Sequence, residues 1–437
     1  MVKNYSTAEI EELIKENKKL RIENESMKKI LDSKRFRAAE KIADTMNAVL
    51  PEGTKRRKAL KAVAKPLGGI ARNKSGRLTS KINVATANKK KIIVIHSIVW
   101  NAPLKQRPHH LAKNLAKNKD VVVIYFEPSE RLRSFRKISN NLFTTNSWNV
   151  IYNLRINSDQ DAYFFFNNVS DVALNKIEKI QEHGYKIVYE YIDEFHEDVS
   201  GSLVYQLETW EKLPKLKPYL VLASAGKLYD EAKAHFTDSK VIMSKNAVNV
   251  EDFDYHTKRA VPSDLNKIIK NKKPIVGYYG ALALWLDYDL ISEVAKNNKD
   301  VNFVLLGVNY QNALSKLDQS IDNIYYLGPK KYKELANYSA CFDVAIIPFK
   351  TGEIAKGTSP VKLFEYMAMG LPTVGTKDLN ECKGYEYVYL AKDSKDFSKL
   401  INKAIEEHKD KKVREALLEQ AKDNSWQSRA EDIISNL

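Results

Sequence analysis

The sequence contains only two cysteines, Cys341 and Cys382, among its 437 residues. Two cysteines cannot build a disulfide framework or a cysteine-based metal site, and this scarcity is typical of a reducing compartment. Long apolar runs are also missing, because no stretch approaches the roughly 20 residues that a membrane-spanning helix requires. The N-terminal segment is charged throughout and does not resemble a secretory signal peptide. We therefore expect a cytoplasmic protein.

The formal net charge of +16 is unevenly distributed. Between residues 34 and 91, lysine and arginine far outnumber the acids Glu40, Asp44 and Glu52. The remainder of the chain is close to neutral. A footprint for an anionic partner is therefore a property of this basic segment and not of the whole protein.

The segment 1–32 has the pattern of a coiled-coil helix. Ser6 and Glu9 form a capping-box pattern that predicts the start of a helix. Apolar or asparagine residues then recur at alternating spacings of three and four: Ile10, Leu13, Asn17, Leu20, Asn24, Met27 and Leu31. Such a seam favours a parallel homodimer through residues 6–31, and a solvated single helix is the alternative for so short a repeat.

The segment 33–90 is predicted as a basic helical linker. Leu60, Val63 and Leu67 fall at helical spacing among lysines and arginines, which suits a helix lying on an anionic membrane surface. A solvated linker and a nucleic-acid arm are the alternatives. The only aromatic residue of the segment is Phe36, so we expect no nucleic-acid partner. The location expected from this pattern is peripheral, on the inner face of the cell membrane.

From residue 91 onward, short β-branched runs alternate with amphipathic helices. This alternation predicts parallel sheets covered by helices on both faces. The expected fold class is α/β, with two doubly wound Rossmann-like domains that face a cleft. We place them at 91–255 and 256–420, followed by a C-terminal helix, 421–437, that crosses back to the first domain.

The stretch 348–374, "PFKTGEIAKGTSPVKLFEYMAMGLPTV", carries the clearest chemical pattern. A strand ends at Pro348, a loop follows, and Ser359 and Pro360 are predicted to begin a helix, with the serine as its cap. Free amides at such a helix start suit a diphosphate. Lys362 adds a positive charge there, and Glu365, one turn further, can accept both hydrogen bonds of a ribose diol. Each charged residue taken alone is equally compatible with a surface salt bridge.

This stretch resembles the nucleotide-sugar signature of the GT-B glycosyltransferases, in particular glycosyltransferase family 4 and its polysaccharide and teichuronic-acid-type members. The resemblance implies that Glu365 holds the ribose and that Ser359 and Lys362 lie by the diphosphate. One departure concerns Gly357, which stands where the family's two-glutamate motif has its first glutamate.

Two further stretches resemble the same family. The likeness of "GYYGALALWLD" implies that the backbone at Gly280 and Ala281 approaches the diphosphate. The likeness of "LGPKKYKELANYSACFDVAIIPF" implies that Tyr332 and Leu335 lie near the nucleobase. The predicted donor-binding residues are therefore Gly280, Ala281, Tyr332, Leu335, Ser359, Pro360, Lys362 and Glu365.

In the first half, "HSIVWNAPLKQRPHHLAKNLA" resembles the opening strand, loop and helix of the same enzymes. Arg107 is predicted as a catalytic cation for an anionic ligand, with a capping or interdomain salt bridge as the alternative. Asp193, at the end of another strand, is predicted as a catalytic carboxylate that binds sugar hydroxyls, and Lys362 completes the catalytic set. The candidates on the acceptor side are Trp100, Gln106, His109 and His196.

The resemblance implies a hexosyltransferase that moves a sugar from a nucleotide-sugar, with uridine favoured over guanosine, to a cell-surface polysaccharide or lipid-linked glycan, with retention of configuration. No cofactor and no metal are predicted, because "DYD" at 287–289 is better explained as the opening of a helix. The alternatives are a sugar-nucleotide 2-epimerase of the same fold and a non-catalytic scaffold in a cell-envelope complex.

Overall fold

The computed structural model describes residues 82–102, 105–127, 135–170, 172–196, 203–318 and 320–437. The predicted coiled coil and most of the predicted basic linker lie outside these residues. Residues 85–437 form one compact unit that contains two sheets. The predicted α/β class with two doubly wound sheets is confirmed.

The first sheet has eight strands in the order β3-β4-β2-β1-β5-β6-β7-β8, and all neighbours are parallel except β3 with β4. Its central strands are continuous apolar runs because helices cover both faces. The strands are β1 (Lys91–His96), β2 (Val121–Phe126), β3 (Phe135–Lys137), β4 (Leu142–Thr145), β5 (Asp161–Asn167), β6 (Tyr185–Tyr191), β7 (Leu220–Ala223) and β8 (Lys240–Met243).

The helices that accompany the first sheet follow its strands in the chain, as parallel connections require. They are α1 (Arg107–Leu115), α2 (Trp148–Tyr152), α3 (Leu174–Glu182), α4 (Val204–Lys212) and α5 (Gly226–His235), with a 3₁₀ turn at Leu213–Leu216.

The second sheet has six parallel strands in the order β11-β10-β9-β12-β13-β14. The order reverses at β9, which places a topological switch point between β9 and β12, where open α/β sheets bind ligands at their carboxyl edge. The strands are β9 (Ile275–Tyr279), β10 (Asn302–Leu306), β11 (Ile324–Tyr326), β12 (Val344–Ile347), β13 (Thr373–Thr376) and β14 (Val388–Ala391).

The helices of the second half begin after the interdomain linker. They are α6 (Asn266–Ile269), α7 (Tyr288–Asn297), α8 (Tyr332–Ser339), α9 (Glu353–Lys356), α10 (Val361–Ala368), α11 (Ser394–His408), α12 (Lys411–Asp423) and α13 (Trp426–Asn436), with 3₁₀ turns at Ser263–Leu265, Tyr310–Lys316 and Asn380–Cys382. None of the helices in the ranges that the structure describes is both long enough and apolar enough to cross a membrane.

The chain passes between the two sheets twice, and the two crossings lie side by side. The Val248 amide donates to the carbonyl of Asn424 (3.0 Å), and the Trp426 amide donates to the carbonyl of Val248 (2.9 Å). After the second crossing, α13 packs against α1 and buries Trp426, Ile433 and other apolar residues in the core of the first sheet. The C-terminal helix is thereby part of the N-terminal domain.

A buried ion pair lies where the interdomain linker, which begins with residues 244–246, leaves the first sheet. Arg107 Nε is 2.8 Å from Glu190 Oε1, and the two side chains are only 3% and 2% exposed. Arg107 Nη2 also donates to Ser244 Oγ (2.8 Å), and Nη1 donates to the carbonyl of Lys245 and to Asn246 Oδ1 (both 3.3 Å). One guanidinium therefore joins α1, β6 and the interdomain linker.

Replacing Arg107 with alanine tests this joint. Removal of the guanidinium leaves the Glu190 carboxylate buried without a cation, which should lower the free energy of unfolding by about 3 to 5 kcal/mol in urea denaturation. Lys90→Ala is the matched control, because Lys90 and Asp120 form an exposed pair at 3.6 Å, and its loss should cost less than about 1 kcal/mol. Equal losses for the two variants would contradict this account.

Candidate functional site

Two loops run side by side at the carboxyl edge of the second sheet, one after β9 and one after β12. The Lys350 amide donates to the carbonyl of Trp285 (2.8 Å), and the Asp287 amide donates to the carbonyl of Pro348 (2.9 Å). The first loop contains the predicted diphosphate backbone at Gly280 and Ala281, and the second leads into α10. The fold thus brings both predicted donor elements to the topological switch point.

Gly280 is required by close approach as well as by backbone conformation. Its φ is +151°, and a Cβ there would lie 2.8 Å from Tyr278 Oη and 2.9 Å from Lys362 Cε. Gly307, directly after β10, is packed more closely still, since a Cβ there would lie 1.6 Å from the carbonyl oxygen of Gly280. The structure therefore places Gly280 against Lys362, and Gly307 makes room for this arrangement.

The Lys362 ammonium lies over two aromatic rings. Its Nζ is 5.5 Å from the ring centroid of Tyr278 and 5.4 Å from that of Phe349. Burial lowers the pKa of this lysine, and the nearby Glu365 carboxyl partly opposes that shift. No carboxylate in the described part of the chain comes within salt-bridge distance of Lys362, so its charge is available to an anionic ligand.

Glu365 lies in α10 and is only 5% exposed. Burial raises its pKa to about 7, and the hydroxyls of Tyr279 and Tyr332 and the charge of Lys362 act in the opposite direction. The hydroxyl oxygens of Tyr279 and Tyr332 are buried, but neither completes a hydrogen bond of ordinary geometry. The carboxyl thus stands among polar groups that their protein neighbours satisfy only in part.

The start of α10 differs from the predicted cap. Pro360 occupies the N-cap position, and the Ser359 hydroxyl accepts a hydrogen bond from the amide of Asn246 (3.1 Å) instead of capping the helix. The Asn246 side-chain amide donates to the carbonyl of Ser359 (2.6 Å). Ser359, 2% exposed, therefore ties the linker between the domains to the helix that carries Lys362 and Glu365.

Leu335 and Tyr332, both predicted to lie near the nucleobase, differ in their surroundings. The Leu335 side chain is 6% exposed and belongs to the core of the second domain. Tyr332 packs partly buried against the same core, and its hydroxyl environment includes Glu365 and Asp252. Of the two predicted residues, Tyr332 is the one beside the buried carboxyl.

Arg107 requires a correction as well. Its donors are occupied by Glu190 and the interdomain linker, as described above, so the guanidinium holds that linker in place instead of facing a ligand. The sequence left a capping or interdomain salt bridge open as the alternative; the observed salt bridge lies within the first domain, and hydrogen bonds connect the same guanidinium to the linker.

Trp100 and His109, two of the candidates on the acceptor side, are buried within the first domain. His109 is fully buried, its Nδ1 accepts from the Gln106 amide (3.2 Å), and its Nε2 lies 3.2 Å from the carbonyl of Val99. Burial lowers its pKa to about 4. Trp100 packs against the rings of His109 and Tyr125 and is 7% exposed. Both rings pack at the start of α1, and Gln106 next to them is exposed.

Asp193 follows the carboxyl end of β6, at the cleft edge of the first sheet. Its main chain is held by the Asn168 side chain, which donates to the Asp193 carbonyl (2.7 Å) and accepts from the amide of Ile192 (3.1 Å). Burial raises the pKa of the Asp193 carboxyl to about 7, and Arg107 opposes that shift. His196 is half-buried in the same loop.

Sequence reasoning missed residues whose roles depend on distant partners. Asn246 and Glu190 were not singled out, and both contact side chains that were. Within the residues covered by the structure, no group of three or more histidine, cysteine or acidic side chains is arranged to hold a metal ion. Both cysteines are free thiols.

Comparisons with known proteins agree with this fold. Residues 273–407 match the family model described as "Glycosyl transferases group 1". A sucrose-phosphate synthase from Thermosynechococcus elongatus superposes with a TM-score of 0.58 at 11% identity, covering 79% of this chain and 98% of that protein. Anabaena HepE superposes at 0.53 with 15% identity, with the same coverages. The chain has the fold of the GT-B glycosyltransferases. The predicted resemblance to that group is confirmed.

Two curated proteins are similar to this chain in sequence. A Bacillus subtilis (strain 168) protein named for teichuronic acid biosynthesis, the glycosyltransferase TuaH, is 27% identical over 215 residues, which is 47% of this chain and 53% of TuaH. The glycogen synthase of Thermosipho melanesiensis is 25% identical over 258 residues, which is 54% of this chain and 53% of that enzyme. The match spans about half the length of each relative.

The buried Glu365 carboxyl makes a pH-dependent prediction for Glu365→Gln. The native pKa of about 7 lies above the ordinary value of 4.5, so the native state binds more protons between these values and loses stability as pH rises through that window. We expect the Gln variant to melt about 2 °C or more above the wild type at pH 8, and this gain should shrink toward pH 5. Glu182→Gln, at the exposed end of α3, is the control. A gain independent of pH would contradict the prediction.

Proposed function

We propose that this protein is a glycosyltransferase that moves a sugar from a nucleotide-sugar donor, a UDP-sugar, to a glycan acceptor. The observation that carries the proposal is the convergence of Gly280, Lys362 and Glu365 at the carboxyl edge of the second sheet. Gly280 leaves its backbone accessible, and Lys362 has no salt bridge among the residues that the structure describes. Both features suit a diphosphate. A buried carboxylate beside them suits the ribose diol.

Similar proteins support the choice of donor. Anabaena HepE, which shares the GT-B fold, has been solved with UDP and with UDP-glucose. The matched family model covers the part of this chain that contains β9, α10 and the loops between them. A uridine diphosphate sugar is therefore the first donor class to test.

The side chains divide the work of the proposed reaction. The bond from the anomeric carbon to the diphosphate oxygen breaks, a bond from that carbon to the acceptor oxygen forms, and the diphosphate takes the acceptor's proton. Lys362 stabilises the charge that develops on the diphosphate, and its low exposure to water strengthens this interaction. Glu365, in its ionised form, orients the ribose.

Asp193 is proposed to act from the opposite side of the cleft. Its carboxyl follows β6 at the cleft edge of the first sheet, and burial raises its pKa to about 7. A carboxylate there can accept hydrogen bonds from hydroxyls of the acceptor or the transferred sugar. Because its environment disfavours the charged form, a hydroxyl donor would be bound more tightly than by an exposed aspartate.

The proposal extends to the acceptor and the cellular setting. The name of the TuaH relative supports a cell-surface polysaccharide or a lipid-linked precursor. Attachment to an anionic membrane through residues 34–91 and pairing through residues 6–31 are supported by sequence pattern alone. Retention of configuration is part of the proposal because the family resemblance implies it.

Calorimetry with UDP, GDP and uridine tests the donor site. Wild-type protein should prefer UDP to GDP. Lys362→Met should weaken the binding of UDP about tenfold and leave the binding of uridine almost unchanged, because only UDP carries the diphosphate. Glu365→Ala should weaken both about tenfold or more, because both carry the ribose diol.

Glu182→Ala serves as the control for these titrations, since it removes an exposed carboxylate far from α10 in the sequence. Equal losses of UDP and uridine binding in Lys362→Met would remove the lysine from the diphosphate site. Failure of the wild type to bind any nucleotide or nucleotide-sugar would overturn the proposed function.

Product analysis separates this reaction from its alternatives. Proton NMR of UDP-sugar turnover should show release of UDP and a product with the donor's anomeric configuration. A 2-epimerised sugar would identify an epimerase instead. Donor binding without turnover, in the presence of lipid-linked and polysaccharide acceptors, would favour a non-catalytic scaffold.

A further inference from the structure

The first turn of α5 is a point where the two domains meet. The amide of Gly226, the first residue of α5, donates to Glu381 Oε1 (2.6 Å), and Lys245 Nζ is 2.8 Å from Glu381 Oε2. Glu381 follows β13 of the second domain and is 5% exposed. A carboxylate of one domain thus lies on the positive end of a helix of the other.

Lys227 extends this contact toward the donor side. Its ammonium lies 2.5 Å from Glu194 Oε2 and 2.8 Å from Glu231 Oε1, both in the first domain. It also lies 3.5 Å from Glu353 Oε2 in the second domain. The lysine side chain is 20% exposed. One partly buried cation therefore joins carboxylates from both sides of the cleft.

Glu353 belongs to the segment 352–358, which we call the donor loop and which includes the short helix α9. It lies in the connection between β12 and α10, the helix with Lys362 and Glu365. Any displacement of the donor loop would move the start of α10 relative to the first domain. The charge contact at Lys227 therefore acts on the segment that leads directly into the proposed donor site.

Gly357, in the donor loop, shows how closely the domains approach. Its φ of −92° is ordinary for any residue, so the backbone does not demand glycine. A Cβ at this position would lie 2.8 Å from Glu194 Oε2. Because Lys227 holds the Glu194 carboxylate, that side chain cannot move away without losing its ion pair.

We propose that Glu194 and Lys227 are positioning residues that dock the donor loop on the first domain, and that Gly357 leaves the room this docking needs. This inference rests on the proposed transferase function for its catalytic consequence. Its structural content stands separately: the Glu194 carboxylate of the first domain occupies the space beside Gly357 of the second. Lys227 contacts both that carboxylate and Glu353 of the donor loop.

A double-mutant cycle between Gly357→Ala and Glu194→Ala tests the docking directly. Alone, Gly357→Ala should displace the Glu194 carboxylate, open the donor loop and raise the KM for UDP-sugar about fivefold, with a smaller change in kcat. In the Glu194→Ala background the obstructing carboxylate is missing, so Gly357→Ala should have almost no additional effect.

Lys227→Met is the second probe, because it removes the shared cation while leaving Gly357 unchanged. Like Gly357→Ala, it should raise the KM for UDP-sugar. Glu208→Ala is the matched control, since Glu208 and Lys212 form a surface pair within α4 of the same domain, and it should change neither KM nor kcat.

Hydrogen exchange measured by mass spectrometry gives a readout that needs no ligand. The peptide covering residues 350–358 should exchange faster in Gly357→Ala and in Lys227→Met than in the wild type, and the Glu208→Ala variant should match the wild type. An effect of Gly357→Ala that persists in the Glu194→Ala background would overturn the inference, as would unchanged exchange in Lys227→Met.

The two readouts separate the inference from the proposed function. If the wild type binds no nucleotide, the transferase proposal fails, and the exchange cycle still decides whether Glu194 and Lys227 dock the donor loop. If nucleotides bind and turn over, but the cycle shows additive effects, the transferase proposal stands and the docking role is wrong.

Discussion

The buried ion pair between Arg107 and Glu190 is the constraint on which the arrangement of the two halves depends. Burial of two charges is costly unless geometry and further hydrogen bonds compensate. Here the remaining donors of the guanidinium are taken up by the linker 244–246. The linker in turn holds Ser359 through Asn246. The core of the first domain is thus connected, through polar contacts, to the start of the helix that carries the proposed donor-binding residues.

The proposed donor site is different, because its polar groups are only partly satisfied by the protein. Glu365 is buried, and the tyrosine hydroxyls beside it make no hydrogen bond of ordinary geometry, while Lys362 lies over aromatic rings. Such partly satisfied polar groups reduce stability, and natural proteins retain them mainly where a ligand uses them. The contacts around Arg107 are therefore expected to be rigid. At the carboxyl edge of the second sheet, polar groups remain that a ligand could bind.

Much of the fold followed from local patterns. Continuous apolar strands alternating with helices predicted two parallel sheets, and the pattern around residues 359–365 predicted the helix beside the switch point. The directions of side chains did not follow from these patterns. Arg107, His109 and Leu335 were assigned to ligands, yet each points into protein. A single helical turn brings neighbouring residues to opposite faces, and the sequence does not show which face meets the core.

Local sequence patterns were sufficient to predict the order of the elements, the parallel sheets, the position of Gly280 after β9 and the position of Lys362 and Glu365 in the helix that follows β12, because these depend on short-range periodicity and chain direction. Only the tertiary structure decided that a carboxylate from the first domain stands beside Gly357, and that Asn246 holds Ser359. Such contacts join residues from different domains. They depend on how two separately formed sheets pack across the linker, which no local pattern encodes.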